Sequence, residues 1–268
     1  MSDISREDAW GEGNSYDAYM GRWSRRLAPR FLDWLAPGPQ LDWLDVGCGT
    51  GALSDQILAR CDAANLIGMD PSDGFIAQAR KNVPDSRAEF HIGDAQDLPL
   101  DDASLDVATS ALALNFVQDP IKALSEMKRV IRPDGLVAFY VWDYPGGGVE
   151  FMHLFWMAAT ALDPNVRDRV ESARFPFCTP EGLREMMVTA GVSKVETIAI
   201  EVSTVFTDFD DYWQPFTLGA GPAPAYCMSL DAAARHRLRL RMQQTLPIAE
   251  NGSIKLTARA WALKGAVR

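Results

Sequence analysis

Three glycines alternate with small residues in Leu44, Asp45, Val46, Gly47, Cys48, Gly49, Thr50, Gly51. Without a Cβ, glycine lets the backbone turn tightly and approach a ligand closely. The apolar run before them and the helical pattern after them set this turn between a strand and a helix, whose first N–H groups and positive dipole end suit a polar ligand. The spacing is GxGxG and departs from the GxGxxG of dinucleotide-binding folds, which disfavours a nicotinamide cofactor; a tight turn with no ligand is the bland alternative. Nineteen residues after Gly51, Asp70 ends the run IGMD, where a carboxylate can accept both hydroxyls of a ribose or simply cap a helix. Asp94, in GDAQDLP, can accept from an adenine amino group while Ala95 offers its backbone N–H to a ring nitrogen, or it can serve as an ordinary turn aspartate.

Positioning these groups takes alternating strands and helices. Leu41–Val46 reads as a buried strand followed by a helix from about Ala52, and LIGMD (66–70) as a strand followed by a helix over Gly74–Asn82. AEFHIGDA (88–95) is a strand ending in an acidic turn, LDVATSA (105–111) a strand before a helix over Ile121–Ile131, and LVAFYVW (136–142) a fifth strand. This order implies βαβ units with right-handed crossovers and a mainly parallel sheet. An amphipathic helix is expected over Tyr16–Leu35, with Trp23, Leu27, Phe31, Trp34 and Leu35 on one face and Pro37, Gly38 and Pro39 as its stop.

After Trp142 the alternation breaks at DYPGGG and an aromatic, Met-rich helix follows over Phe151–Leu162. It resumes with a helix that Thr179 caps, Pro180 begins and Gly191 ends, and then a strand, VETIAIEVSTVF. A second aromatic insertion (Thr207–Tyr226), a helix over Ser229–Leu246 and a strand over Ile254–Leu263 complete the chain. The expectation is a single domain over 1–268, with an N-terminal helical lid (1–39), a ligand-binding core (40–142) and lid insertions at 143–178 and 207–228.

The 268 residues carry a formal charge of −10, which argues against a nucleic-acid partner gripped by a broad basic footprint. A hydrophobic content of 47% with 23% charged residues is that of a globular chain able to bury its own core. Four widely spaced cysteines with no CxxC suggest neither a disulfide framework nor a zinc site, and no metal is expected. The charged start MSDISRED and the lack of a long apolar stretch point to a cytoplasmic protein without membrane insertion.

Taken together, LDVGCGTG, IGMDPS, GDAQDLP, LDVATSALALNF and MKRVIRPDGLVAF resemble the class I S-adenosylmethionine-dependent methyltransferases, in the small-molecule branch that includes the ubiquinone and menaquinone C-methyltransferases. YDAYMGRWSRRLAPRFLDWL and FDDYWQPF resemble a bacterial group of such proteins. The resemblance implies an α/β, Rossmann-like, doubly wound sheet of seven strands in the order 3214576, mainly parallel with an antiparallel last strand. It also implies S-adenosyl-L-methionine as cofactor. Its methionine part would lie against Asp45, Gly47, Cys48 and Gly49, its ribose at Asp70 beside Pro71, and its adenine at Asp94 and Ala95. Backbone groups of Ser110, Ala111 and Leu112 would meet its amino group.

With that cofactor in mind, Arg22 could pair with its carboxylate, and Trp23 or Tyr16 could cover the sulfonium by cation–π attraction; the alternative is a core Trp23 and a solvated Arg22. Where many relatives carry His after the fourth strand this chain has Asn115, which has no titratable proton near neutral pH. Of the three histidines, His91 reads as packed within a strand and His236 lies among the arginines of RHRLRLR, a solvated helix face. His153, in the aromatic insertion, is the candidate general base, with a satisfied core histidine as its alternative; Asp143 and Tyr144 are expected beside the acceptor. The expected activity is in-line methyl transfer to an apolar or aromatic small molecule. The rival readings are a catalytically silent S-adenosylmethionine-binding sensor or scaffold and, less favoured, an NAD-dependent oxidoreductase.

Overall fold

A computed structural model of the chain describes residues 17–219 and 221–268, without the side chains of Asp17 and Ala18. Tyr16 lies outside the described residues.

One sheet organises the chain. Its strands are β1 (Asp42–Val46), β2 (Asn65–Asp70), β3 (Ala88–Ile92), β4 (Leu105–Ala111), β5 (Ile131–Trp142), β6 (Ser193–Phe206) and β7 (Ile254–Ala266). They lie in the order β3-β2-β1-β4-β5-β7-β6. The pairs β1–β2, β1–β4, β2–β3 and β4–β5 are parallel, and β7 runs antiparallel to β5, with Leu136 opposite Ala266 and Trp142 opposite Ala260. The central strands are buried and read as continuous apolar runs because helices cover both faces of a parallel sheet: Trp43, Leu44, Ala108, Val137 and Phe139 are inaccessible to solvent.

The crossovers are α2 (Ala52–Arg60), α3 (Asp73–Asn82) and α4 (Pro120–Val130), preceded by α1 (Leu27–Leu35). Side chains fix their starts. Ser72 Oγ accepts from Phe75 N–H, and Asp119, followed by Pro120, accepts from Lys122 N–H. The longer of the later helices are α5 (Glu150–Leu162), α6 (Pro180–Thr189), α7 (Pro222–Ser229) and α8 (Ala232–Thr245); Thr179 caps α6 as expected, accepting from Gly182 N–H.

One predicted helix is broken and another starts later than expected. The span expected over Tyr16–Leu35 is a π-helical turn (Asp17–Gly21), a short helix (Arg22–Ser24), a turn, and then α1. Pro29 lacks an N–H and is tolerated only in a first turn, so the helix restarts at Leu27. The helix expected over Ser229–Leu246 is α8, which begins three residues later because Asp231 caps Ala234 N–H at 2.7 Å; α7 is a separate helix that Pro222 opens.

The chain divides into two compact units. One holds residues up to Ser24, Asp143–Pro176 and Glu201–Arg259; the other holds Arg25–Trp142, Phe177–Ile200 and Ala260–Arg268. The first is rich in aromatic contacts. Phe155 stacks on Phe216 at 4.3 Å, Tyr19 meets Phe216 edge-on at 5.4 Å, and Tyr212 donates its hydroxyl to Phe151 O at 2.6 Å. The second contains the greater part of the sheet.

Candidate active site

The glycine turn hangs from the end of β2: Gly47 N–H and Cys48 N–H both donate to Met69 O, at 2.7 and 3.0 Å. Gly51 N–H then bonds Cys48 O at 2.9 Å, and α2 begins. All three glycines have positive φ (69°, 54° and 88°), where a side chain is strained. They differ in what surrounds them. A Cβ on Gly47 would overlap the Cβ of Ala113 in the segment after β4, and one on Gly51 would come within 2.8 Å of Val83; around Gly49 nothing lies within 4 Å. Gly47 and Gly51 therefore serve close packing, and Gly49 borders open space.

Asp70, buried at the end of β2, ties two loops together. Its Oδ2 accepts from Gly49 N–H at 3.0 Å and its Oδ1 from Ser72 N–H at 2.9 Å. Each oxygen keeps a lone pair for a further donor. Burial raises its pKa from the ordinary carboxylate value, against the two backbone hydrogen bonds. Asp45, on β1, is wholly inaccessible; Ser54 donates to its Oδ2 at 2.6 Å, and its Oδ1 has no hydrogen-bond partner. Burial, opposed by the Ser54 hydroxyl and reinforced by the charge of Asp70, raises its pKa to about 7. Cys48, between them in sequence, is buried, and the same burial and carboxylates push its thiol well above its usual range, so it is no nucleophile.

At the end of β3, Asp94 is exposed and accepts from Gln96 N–H and Gln96 Nε2 at 2.9 and 3.1 Å, the geometry of a turn aspartate with its outer face accessible. Ala95 is half-buried and Pro71 exposed. Ile92, in register with Asp70, is 56% exposed, a large apolar side chain at the rim that the sequence reading passed over. Its signal was present: an isoleucine at the carboxyl end of a strand, two residues before the acidic turn. After β4, Ser110 is buried with its hydroxyl unpartnered, Ala111 follows, and Leu112 adopts φ 58° while its N–H bonds Tyr140 O at 2.8 Å. Asn115 is 5% exposed and its Nδ2 has no acceptor.

In the aromatic unit the candidate residues lie as follows. The Arg22 guanidinium grips Asp211 at 2.7 and 3.3 Å, donates to Val205 O at 3.2 Å, and sits 4.2 Å from the Trp23 ring centroid. Trp23 is fully buried, 5.2 Å from Phe206, so the cation its ring receives is Arg22. Asp143 is buried and held by Arg259 at 2.6 Å and by Gly146 N–H at 2.9 Å. His153 stands on the exposed face of α5, level with Met157, beside Gly147 and outside the aromatic core. Among the described residues no group of three or more His, Cys, Asp or Glu could hold a metal ion.

The donor set of the sheet-rich unit fits a cationic nucleoside. Asp70 retains capacity for vicinal hydroxyls, the space at Gly49 admits a ligand close to the backbone, and the buried carboxyl of Asp45 adds to the negative charge near Asp70.

Residues 44–139 match a family described as the methyltransferase domain. The chain is 30% identical over 195 residues to the ubiquinone/menaquinone biosynthesis C-methyltransferase of Dinoroseobacter shibae, covering 67% of this chain and 77% of that protein. It is 31% identical over 184 residues to the malonyl-[acyl-carrier protein] O-methyltransferase of Geobacter sulfurreducens, covering 68% and 67%. It spans about half the length of other curated relatives, from 40% to 56%. Its fold is similar to that of Haemonchus contortus phosphoethanolamine N-methyltransferase 2, solved in complex with S-adenosyl-L-methionine, with a TM-score of 0.62 at 16% identity over 99% of this chain and 60% of that one.

Proposed function

Because this chain belongs to the S-adenosylmethionine-dependent methyltransferases, we propose that it transfers a methyl group from that cofactor to an apolar or aromatic small molecule. The observation that carries the reading is the bridge from Gly49 N–H to Asp70 beside the unpartnered, buried Asp45 oxygen. When bound, the cofactor supplies an electrophilic methyl group on a cationic sulfur. In this reading Asp45, Gly47, Cys48, Gly49, Ser110, Ala111 and Leu112 hold its amino-acid part, Asp70 and Pro71 its ribose, and Asp94, Ala95 and Ile92 its adenine. The protein's task is to align the acceptor and exclude water, which positioning alone can accomplish. His153, on an exposed helix face, is not required for that, and Arg22 and Trp23 serve the fold of their own unit.

An apolar acceptor is supported by the aromatic side chains of 143–178 and 207–228, which we read as the acceptor-binding segments of a cytoplasmic enzyme. The named relatives act as C- and O-methyltransferases, so the acceptor atom follows from the substrate and not from family membership. Calorimetry with S-adenosylmethionine, followed by a search for tritiated methyl product in cell extract, tests the proposal. Absence of cofactor binding overturns it. Binding without labelled product from any extract favours the silent sensor or scaffold, a reading to which the missing base at Asn115 lends its support.

A further inference from the structure

Glu171 is a carboxylate that neither the cofactor site nor the methyl-transfer reading uses. It follows α5 in the chain, is 3% exposed, and accepts a hydrogen bond from the indole N–H of Trp156. The rings of Phe155 and Tyr226 lie against Trp156, each with its centroid 5.4 Å away. A carboxylate is costly to bury among aromatic rings, and an apolar side chain would pack there without that cost. Tyr19 presents the same excess of polarity. It sits in the π-helical turn Asp17–Gly21, is 2% exposed, and packs edge-on against Phe151 and Phe216, contacts that a phenylalanine would make equally well. Its hydroxyl has no hydrogen-bond partner among the described residues, whereas the equally buried Tyr212 hydroxyl donates to Phe151 O at 2.6 Å. All of these residues belong to the aromatic unit.

Burial, and after it the charge of Glu171, raise the Tyr19 pKa well above its usual value, with smaller contributions from Tyr212 and Tyr144. The carboxylate is therefore close enough to act on the hydroxyl, and Tyr19 remains a proton donor. A donor and an acceptor set near each other in apolar surroundings are both satisfied by one group that donates and accepts, and a hydroxyl is the smallest that does. The neighbouring rings favour an arene as its carrier. A ligand carboxylate would be repelled by Glu171, and an ammonium would leave the Tyr19 proton without an acceptor. We propose that Glu171 and Tyr19 form the polar end of a binding site for a phenol, with Glu171 accepting from the phenolic hydroxyl and Tyr19 donating to its oxygen. The proposal rests on the methyltransferase reading only in identifying that phenol as the methyl acceptor.

Equilibrium dialysis of the full chain with 4-methylphenol and with 1,4-dimethylbenzene tests this, since the probes differ only in a hydroxyl or a methyl at one position. The expected result is tighter binding of 4-methylphenol, by about tenfold or more for a hydroxyl held by a carboxylate. Tyr19→Phe should cut that preference about fivefold and leave the binding of 1,4-dimethylbenzene unchanged. Glu171→Gln, which keeps an oxygen for Trp156, should remove most of the preference. A merely structural role for either residue would weaken both probes alike and leave their ratio where it was. Equal affinity for the two probes, binding of neither, or an unaltered ratio in either variant overturns the proposal. If Glu171→Gln does not fold, Tyr19→Phe decides alone, because it removes one oxygen and no ring. Calorimetry with S-adenosylmethionine keeps the two readings apart. A phenol preference without cofactor binding overturns the methyltransferase reading and leaves this site standing, and cofactor binding without the preference does the reverse.

Discussion

Asp45 and Asp70 share a neighbourhood, and burial sets how both respond to pH. With its pKa raised to about 7, Asp45 is an anion only above that pH. A cationic ligand binds the anion better, so cofactor affinity should fall as pH drops below about 7 and binding near neutrality should release a proton; calorimetry in two buffers of different ionisation heat measures both. Stability without cofactor runs the other way. A carboxyl whose folded pKa lies above its ordinary value of 3.8 binds its proton more tightly in the folded state, so stability declines as pH rises from about 4 to about 7. Asp45→Asn should remove that decline, gaining at least about 1 kcal/mol at pH 8 in denaturant unfolding while losing cofactor affinity. Asp70→Ala should weaken cofactor binding at least about tenfold, because it removes charge-assisted hydrogen bonds and unties Gly49 from Ser72.

At the scale of elements, the glycine turn divides into two packing positions and one, Gly49, that borders open space. Gly47→Ala should destabilise the cofactor-free protein by about 2–4 kcal/mol, the sum of a left-handed backbone and a clash with Ala113. Gly49→Ala carries the backbone cost alone, about 1–2 kcal/mol, yet should depress cofactor affinity more than stability, since its Cβ enters the open space. Thermal melts with and without cofactor separate the two. The turn was legible in the sequence because glycine spacing is a local property; which glycines pack and which borders open space depends on Val83 and Ala113, distant in sequence. The same limit explains the broken N-terminal helix and the late start of α8. Hydrophobic spacing ran through Arg25–Arg26 and Leu230–Asp231, and local chemistry at Pro29 and Asp231 overrode it.

For the whole molecule, both units are assembled from separate stretches of chain. The Arg22–Asp211 pair joins the N-terminal stretch of the aromatic unit to the segment after β6, with both side chains about 70% buried. Arg22→Ala should lower stability by about 1–2 kcal/mol, between the values for surface and buried pairs, without selectively impairing binding of the cofactor's carboxylate. A chain ended after residue 200 loses β7 and exposes the edge of β5, where Val137, Ala138, Phe139 and Tyr140 are almost inaccessible. Gel filtration of that fragment should show aggregates.

Strand–helix alternation, the glycine turn and the acidic ends of β2 and β3 could be read from the sequence because each is a short-range pattern of residue types. The resemblance carried by those motifs supplied the strand order, including the antiparallel β7. What only the tertiary structure decided is which partners the remaining side chains find. Trp23 takes a guanidinium for its ring face, Asp143 is held by Arg259, His153 faces solvent, and Asp45 is wholly inaccessible with Ser54 on one of its oxygens. Burial and long-range pairing determine charge state and availability, and neither is encoded within the few residues of a motif.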